Sequence, residues 1–301
     1  MSNEAKIFKY NTLSDVAVRF RSDLNDFDYV LLYAYNGTGK TRLSMEFKNR
    51  GRDTEANTRD TLYFNAFTED LFYWDNDLEN DTERVLKINA NSNFFSGFKE
   101  LAFGYLQRYA EFDFKIDYEE WHISFSKGEE DKIKISRGEE NIFIWCVFLA
   151  ICELVIDGAE AYSWVKYIYI DDPVSSLDDN NIIAIANDLG NLLKKDSGKR
   201  KIVISSHHHL FFNVMYNDLK RNRRKSYFFH KNGANGYTLR ATDETPFFHH
   251  VATLSELKRL LPKEGQTIDD VQINTYHFNM LRSVIEKTAV FFGYSHFSKC
   301  I

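Results

Sequence analysis

Asp28-Tyr29-Val30-Leu31-Leu32-Tyr33-Ala34-Tyr35-Asn36-Gly37-Thr38-Gly39-Lys40-Thr41 is the stretch on which the reading of the whole chain turns. Asp28 to Tyr33 is a short run of strand-forming residues, and Thr41 to Asn49 has the pattern of a helix. The glycines therefore lie between a buried strand and a helix N-terminus. That setting gives the Gly-Lys-Thr triplet its meaning. Gly37 and Gly39 let consecutive backbone N–H groups turn inward onto phosphate oxygens, Lys40 neutralises the terminal phosphates, and the Thr41 hydroxyl is placed to coordinate Mg²⁺. The helix N-terminus adds a partial positive charge. Asn36, Gly37, Thr38, Gly39, Lys40 and Thr41 are the expected binding residues for ATP or GTP, and nothing in the chain reads as specific for either base.

Working outward, Val165 to Ile170 is a second apolar strand, and it delivers Asp171-Asp172-Pro173-Val174-Ser175-Ser176-Leu177-Asp178. A carboxylate at the end of a buried strand can hold Mg²⁺ through water opposite Thr41, which makes Asp171 the expected metal residue. Asp172 is placed to polarise the attacking water. Alone, the run would read as an acidic turn; beside a phosphate loop it reads as the other half of a nucleotide site. A third buried strand, Lys201 to Ser205, leads to His207. His208 and His209 are expected to flank it. If they continue the strand they point to opposite faces, which disfavours the alternative of a three-histidine metal site.

The remaining chain alternates in the same way. Thr61 to Ala66 reads as a strand, Phe94 to Phe112 as helical and Lys115 to Ile135 as antiparallel strands. Glu139 to Ile156 is a long apolar helix, Asn180 to Lys194 a helix, and Ser226 to Leu239 a hairpin around Asn232-Gly233 and Asn235-Gly236. Two amphipathic helices, Thr253 to Leu261 and Asp269 to Phe292, follow Pro246. The prediction is an α/β P-loop NTPase with a mainly parallel sheet plus antiparallel strands. Residues 1–250 would form that domain, and 251–301 a small helical one.

Composition sets the outer limits. With 38 Lys+Arg against 44 Asp+Glu the net charge is −6, which argues against a broad nucleic-acid groove. The basic run Lys220-Arg221-Asn222-Arg223-Arg224-Lys225 is the local exception, either a solvated face or a phosphate contact. Aromatics reach 16%, with 26 Phe and 17 Tyr, and a Phe-rich core accounts for them more simply than stacking on bases. Three cysteines, Cys146, Cys152 and Cys300, cannot build a disulfide framework and point to a reducing compartment. No signal peptide or membrane span is visible, so a cytoplasmic protein without a membrane partner is expected.

Two further segments narrow the type. Ile135-Ser136-Arg137-Gly138-Glu139 precedes the long helix and resembles the LSGGE/Q signature of ABC-type ATPases, and His207 resembles their switch histidine. Ser175-Ser176-Leu177-Asp178 resembles the D-loop. Phosphate loop, signature, strand-end acids, D-loop and histidine fall in the ABC order. In that family Ser136 and Gly138 would contact the γ-phosphate bound by a second protomer, which implies a head-to-tail dimer or higher. Only 95 residues separate Thr41 from Ser136, without heptads, so a long-coil chromosome-structural ATPase is excluded. Asn65 or Glu69, at the end of the strand Thr61 to Ala66 and just after it, stands where ABC proteins carry a loop sensing metal and water.

The segments NGTGKTRLS, FNAFTEDLF, ISRGEEN and IDDPVSSLD together resemble the ATPase region of the PrrC-like anticodon nucleases and similar bacterial defence ATPases, over about residues 30–215. Asp172 takes a place usually held by glutamate. The resemblance implies a nucleotide-gated ATPase that holds a C-terminal RNase silent until infection. The RNase cuts tRNA in the anticodon loop, and in some members the protein sits on a type I restriction–modification complex. His277-Phe278-Asn279-Met280-Leu281-Arg282-Ser283-Val284-Ile285-Glu286 resembles the helix with the family's Arg-x-x-x-Glu nuclease pair. Spacing i, i+4 puts Arg282 and Glu286 on one face, where an arginine stabilises a phosphorane and a carboxylate moves a proton. An ordinary surface ion pair is the alternative. The family's histidine some thirty residues on has no counterpart, since His296 is ten residues past Glu286, and a longer natural protein is expected from the HFSKCI ending. Two other classes stay open: a defence ATPase serving a separate effector, and a DNA-repair ATPase that clamps DNA.

Overall fold

The computed structural model describes residues 6–53, 58–65, 71–75, 85–89, 95, 109, 112–174, 177, 179–232, 236–242, 253–254, 257–258, 260–262, 267, 273, 275–294, 296 and 298. The chain divides into two compact units, Met1–Asp243 and Glu244–Ile301.

Unit 1 is organised by one seven-stranded sheet. Its strands are β1 (Ile7–Tyr10), β2 (Tyr29–Ala34), β3 (Thr61–Asn65), β8 (Tyr167–Asp171), β9 (Lys201–Ser206), β10 (Arg224–Lys231) and β11 (Tyr237–Ala241). They lie side by side in the order β1-β11-β10-β2-β9-β8-β3. β10, β2, β9, β8 and β3 run parallel, whereas β11 and β1 are antiparallel additions at one edge. β2 is buried along its whole length, as expected for a strand in the middle of a parallel sheet. A second, antiparallel sheet joins β4 (Phe72–Asp75), β5 (Val85–Ile88), β7 (His122–Ser126) and β6 (Asp113–Asp117) in the order β4-β5-β7-β6. The mainly parallel α/β architecture with antiparallel strands is the one the sequence predicts.

The helices follow from local chemistry. α1 (Leu13–Asp26) opens on a capping box, with Thr12 accepting from the Asp15 backbone N–H and Asp15 accepting from that of Thr12. It buries Leu13, Val16, Ala17, Phe20 and Leu24 at helical spacing. α2 (Lys40–Asn49) follows β2, and α3 (Arg137–Asp157) is buried without a break from Ile142 to Cys152. A helix apolar all round belongs inside a domain, not on its surface. Phe148 and Trp145 meet Phe64 there at 4.3 and 5.3 Å between ring centroids, and Phe143 meets Phe125 at 5.1 Å. These aromatics belong to the core, whereas Phe278, Phe291 and Phe292 are exposed. α4 (Asp179–Lys195) and α5 (His209–Asp218) complete unit 1.

In unit 2 the long helix among the described residues is α6 (Thr275–Phe291). Of the helix predicted at 253–261, residues 253–254 and 257–258 are described and helical. The helix predicted at 94–112 falls almost wholly outside the described residues, as do the turn at 233–235 and Cys300. Among the described residues no helix is long and apolar enough to cross a membrane.

Candidate functional site

The carboxyl ends of β2, β9 and β8 lie side by side, and each carries one part of the site. In parallel sheets ligands bind beyond those ends. From β2 the chain passes through Asn36–Gly39 into α2. Gly37 has φ +79° and Gly39 φ +100°, conformations that favour glycine. A Cβ on Gly37 would meet nothing within 4 Å, so the loop is open on that side. Unlike α1 and α3, α2 begins without a side-chain cap, leaving first-turn N–H groups free of side-chain acceptors. The Thr38 hydroxyl donates to the Tyr35 carbonyl at 2.7 Å and closes the turn. Below it Tyr35 packs edge-on against Tyr33 and Phe228.

Lys40 is buried, at 6% exposure, with its ammonium facing the loop. Nζ donates to the carbonyls of Ala34 and Tyr35 at 3.3 and 3.4 Å and to Asn36 Oδ1 at 3.3 Å. It also lies 3.4 Å from Asp172 Oδ2. A buried cation under an uncapped helix end and an open glycine loop has the charge and shape to accept a phosphate chain.

Asp171 ends β8 fully buried. Ser205 of β9 donates to Oδ1 at 2.6 Å and Tyr63 of β3 to Oδ2 at 3.4 Å. Burial raises the Asp171 pKa against the lowering effect of Ser205 and Thr41. A carboxyl so placed gains from a nearby cation. Thr41 and Asp171 form an oxygen donor pair of the kind a hard divalent ion takes, so these residues fit Mg²⁺.

Asp172 differs from its neighbour. Its backbone is left-handed at φ +55°, strained for a residue with a Cβ, and its N–H donates to the Ser205 carbonyl at 2.8 Å. The carboxylate accepts from the Ser206 hydroxyl at 3.3 Å and from the His207 backbone N–H at 3.1 Å. His207 Nδ1 lies 2.5 and 2.6 Å from its two oxygens. Burial alone would raise its pKa, but the His207 hydrogen bond and Lys40 more than offset this and hold it below the usual carboxylate range. Burial thus pushes one acid up, while its partners hold the next one down.

The structure brings Lys40, Thr41, Asp171, Asp172 and His207 into one network. Ser136 and Gly138 take no part in its hydrogen bonds or ion pairs. Ser136 is the N-cap of α3 in a capping box, its N–H donating to Glu139 Oε2 at 2.8 Å and its Oγ accepting from the Glu139 N–H at 3.3 Å. Ser136 is exposed, and nothing lies within 4 Å of a Cβ on Gly138. Arg282 and Glu286 pair on the exposed face of α6, Nε to Oε1 at 2.7 Å. Ser175, Ser176, Asp178 and Glu69 lie outside the described residues. His208 and His209 continue not as strand but as the cap and first residue of α5, with rings stacked at 5.3 Å. Among the described residues no group of three metal-ligating side chains occurs. In the basic run, Arg223 donates to the Asp26 carbonyl, Arg224 covers Tyr216 at 3.6 Å and Lys225 covers Phe27 at 5.4 Å. That run is largely taken up by local packing. The residues sequence reasoning missed are Tyr63, Ser205 and Ser206.

A glycine loop with a buried lysine, strand-end acids and a histidine, on adjacent parallel strands and in this chain order, defines a P-loop NTPase of the ABC type. The AAA domain family matches residues 73–296. The Escherichia coli protein named "Anticodon nuclease" is 37% identical over 312 residues, covering 90% of this chain and 76% of that protein. The chain belongs to the anticodon nuclease family and comprises an ATPase core of that family. Solved structures with similarity include an RNase-L Inhibitor (13% identity, TM-score 0.40, covering 76% of this chain and 37% of that one). The SMC head domain from Thermotoga maritima is another (14% identity, TM-score 0.31, covering 70% and 89%). The fold reading rests on strand order and loop geometry, not on these.

Proposed function

We propose that the chain is the nucleotide-gated regulatory core of a tRNA anticodon-loop-cleaving antiphage nuclease, with nucleotide sandwiched in a head-to-tail dimer. The observation that carries the gating is the meeting of Lys40, from the start of α2, with Asp172 and His207, from the ends of β8 and β9. The loop from Asn36 to Thr41 holds the phosphates, with Lys40 exchanging its loop carbonyls for phosphate oxygens. Thr41 and Asp171 would hold Mg²⁺, which would neutralise phosphate charge. Asp172, kept ionised, polarises the attacking water, and His207, anchored through Nδ1, follows the γ-phosphate.

Ser136 and Gly138 act on the nucleotide of the partner copy, consistent with the exposure of Ser136 at the N-terminus of α3. A single chain would therefore hold an incomplete site, and closure depends on γ-phosphate. Arg282 and Glu286 belong to the effector unit, residues 251–301, with tRNA as substrate. A type I restriction–modification complex and a cytoplasmic setting complete the proposal.

One observation favours a second reading, in which the ATPase serves a separate effector: Arg282 and Glu286 satisfy each other on the exposed face of α6, as a plain surface pair does. The test is tRNA integrity in cells expressing the full-length gene product under an active trigger. Cleaved anticodon loops, lost with Arg282→Ala while ATP hydrolysis persists, support the nuclease. Intact tRNA from the wild type moves the assignment to the sensor ATPase.

A further inference from the structure

We infer that Tyr63 is a positioning residue for the site: its phenol fixes the free oxygen of Asp171 and ties it through Ser44 to the helix that carries Thr41. This rests on the reading of Asp171 and Thr41 as the metal-holding pair. The register of the sheet carries the argument. Tyr63 pairs with Tyr169, and Asn65 with Asp171, so all four side chains share one face of β3 and β8. α2 packs on that face, with Lys48 Nζ 5.0 Å from the centre of the Tyr63 ring. Ser44 follows Thr41 by three residues and so lies on the same side of α2.

The proton inventory then assigns the bonds. Ser44 Oγ and Asn65 Nδ2 both reach the Tyr63 oxygen at 3.1 Å, and Ser44 also reaches the Thr41 carbonyl at 2.7 Å. Asn65 fills an acceptor position on the phenol. The strongest acceptor in reach of the phenolic proton is the Asp171 carboxylate, 3.4 Å away. Ser205 holds the other oxygen at 2.6 Å. With both oxygens fixed, the carboxylate plane cannot turn away from Thr41. Hydrogen bonds behind a ligand of this kind typically change metal affinity by about 10–100-fold.

Tyr63→Phe removes the hydroxyl and keeps the ring that packs on Tyr169 and beneath Lys48. The probe is Mn²⁺ with a non-hydrolysable ATP analogue, bound to the full chain and read as loss of the free-ion EPR signal. Tyr63→Phe is expected to weaken Mn²⁺ about 10-fold while metal-free analogue binding and Tm stay at wild-type values. Ser44→Ala, which frees the phenol from α2, is expected to give a smaller loss in the same direction. A Tyr63→Phe titration superimposed on the wild type, with Asp171→Asn no longer binding Mn²⁺, overturns the role of Tyr63 alone. Wild-type Mn²⁺ binding by Asp171→Asn overturns the metal reading of Asp171 and this inference with it. A fall in Tm without a change in Mn²⁺ binding makes Tyr63 a packing residue only, and also overturns it.

Discussion

Two carboxylate–cation arrangements in this chain look alike in a residue table and differ in physical content. Lys40, Asp172 and His207 are drawn from α2 and the ends of β8 and β9, and Lys40 and Asp172 are buried. Arg282 and Glu286 come from one helix, i to i+4, and are 68% and 44% exposed. Each contact in the first group fixes one strand end against another, and low local polarity strengthens it. The second needs only a helix, and screening by water leaves such an exposed pair contributing little to stability. The first geometry therefore demands explanation by a ligand, while the second acquires meaning only if a substrate approaches it.

The sharpest way to break that contrast is Lys40→Ala. With the ammonium gone, the open loop loses its counter-charge for phosphate, and hydrolysis is expected to fall by at least about 10²–10³-fold. Steady-state phosphate release measures it. Asp172→Asn tests the acid kept ionised. Its shape is conserved, so nucleotide is expected to bind while turnover falls about 10²–10⁴-fold. Its pH dependence has a definite sign. Because the folded-state pKa of Asp172 is depressed, its contribution to stability is present above the usual carboxylate pKa and is lost as pH falls through the lower folded value. The Asp172→Asn variant should lose this part of the acid sensitivity of unfolding, measured by denaturant titration from neutral pH down through the carboxylate range.

Asp171 should respond in the opposite direction. Burial raises its pKa, so at neutral pH the folded state carries an ionised group that it would rather protonate. Asp171→Asn is expected to raise stability by about 0.5–2 kcal/mol, seen in calorimetry, while removing metal-dependent hydrolysis. A drop in Tm would show that Ser205, Tyr63 and Thr41 already compensate the buried charge in full.

How much of this was legible in the sequence differs between the two kinds of feature. The phosphate loop, the acid pair and His207 each sit at the end of a short apolar strand, and that local pattern is visible without knowing which strands pair. Tyr63 was not visible, because its role depends on the register of β3 with β8, about a hundred residues apart. The left-handed backbone of Asp172 carries no sequence signal either. β1 escaped notice because four residues, IFKY, acquire strand character only by pairing with β11 near the far end of unit 1. α1 is a different case. The Thr12-Leu13-Ser14-Asp15 cap and the buried stripe after it are local signals, legible without any pairing partner.

Ser136 joins the two sides of the comparison, since it is exposed like Arg282 yet expected to act in the buried site of another copy. Its capping role confounds a simple test: Ser136→Ala should cost about 1 kcal/mol from the cap alone. Asn caps a helix as well as Ser. Ser136→Asn is therefore expected to restore Tm and the Glu139 contact while leaving ATP-driven dimerisation impaired, as read by light scattering with Asp172→Asn in the background to hold the nucleotide. If the Ser136→Asn variant dimerises like the wild type, the serine matters only as a cap. The smallest expected effect on folding is at Arg282. Arg282→Ala should leave Tm at the wild-type value, because a solvated ion pair on one helix face contributes little. That neutrality is what makes the substitution informative: any loss of tRNA cleavage then belongs to chemistry at α6 and not to an unfolded chain.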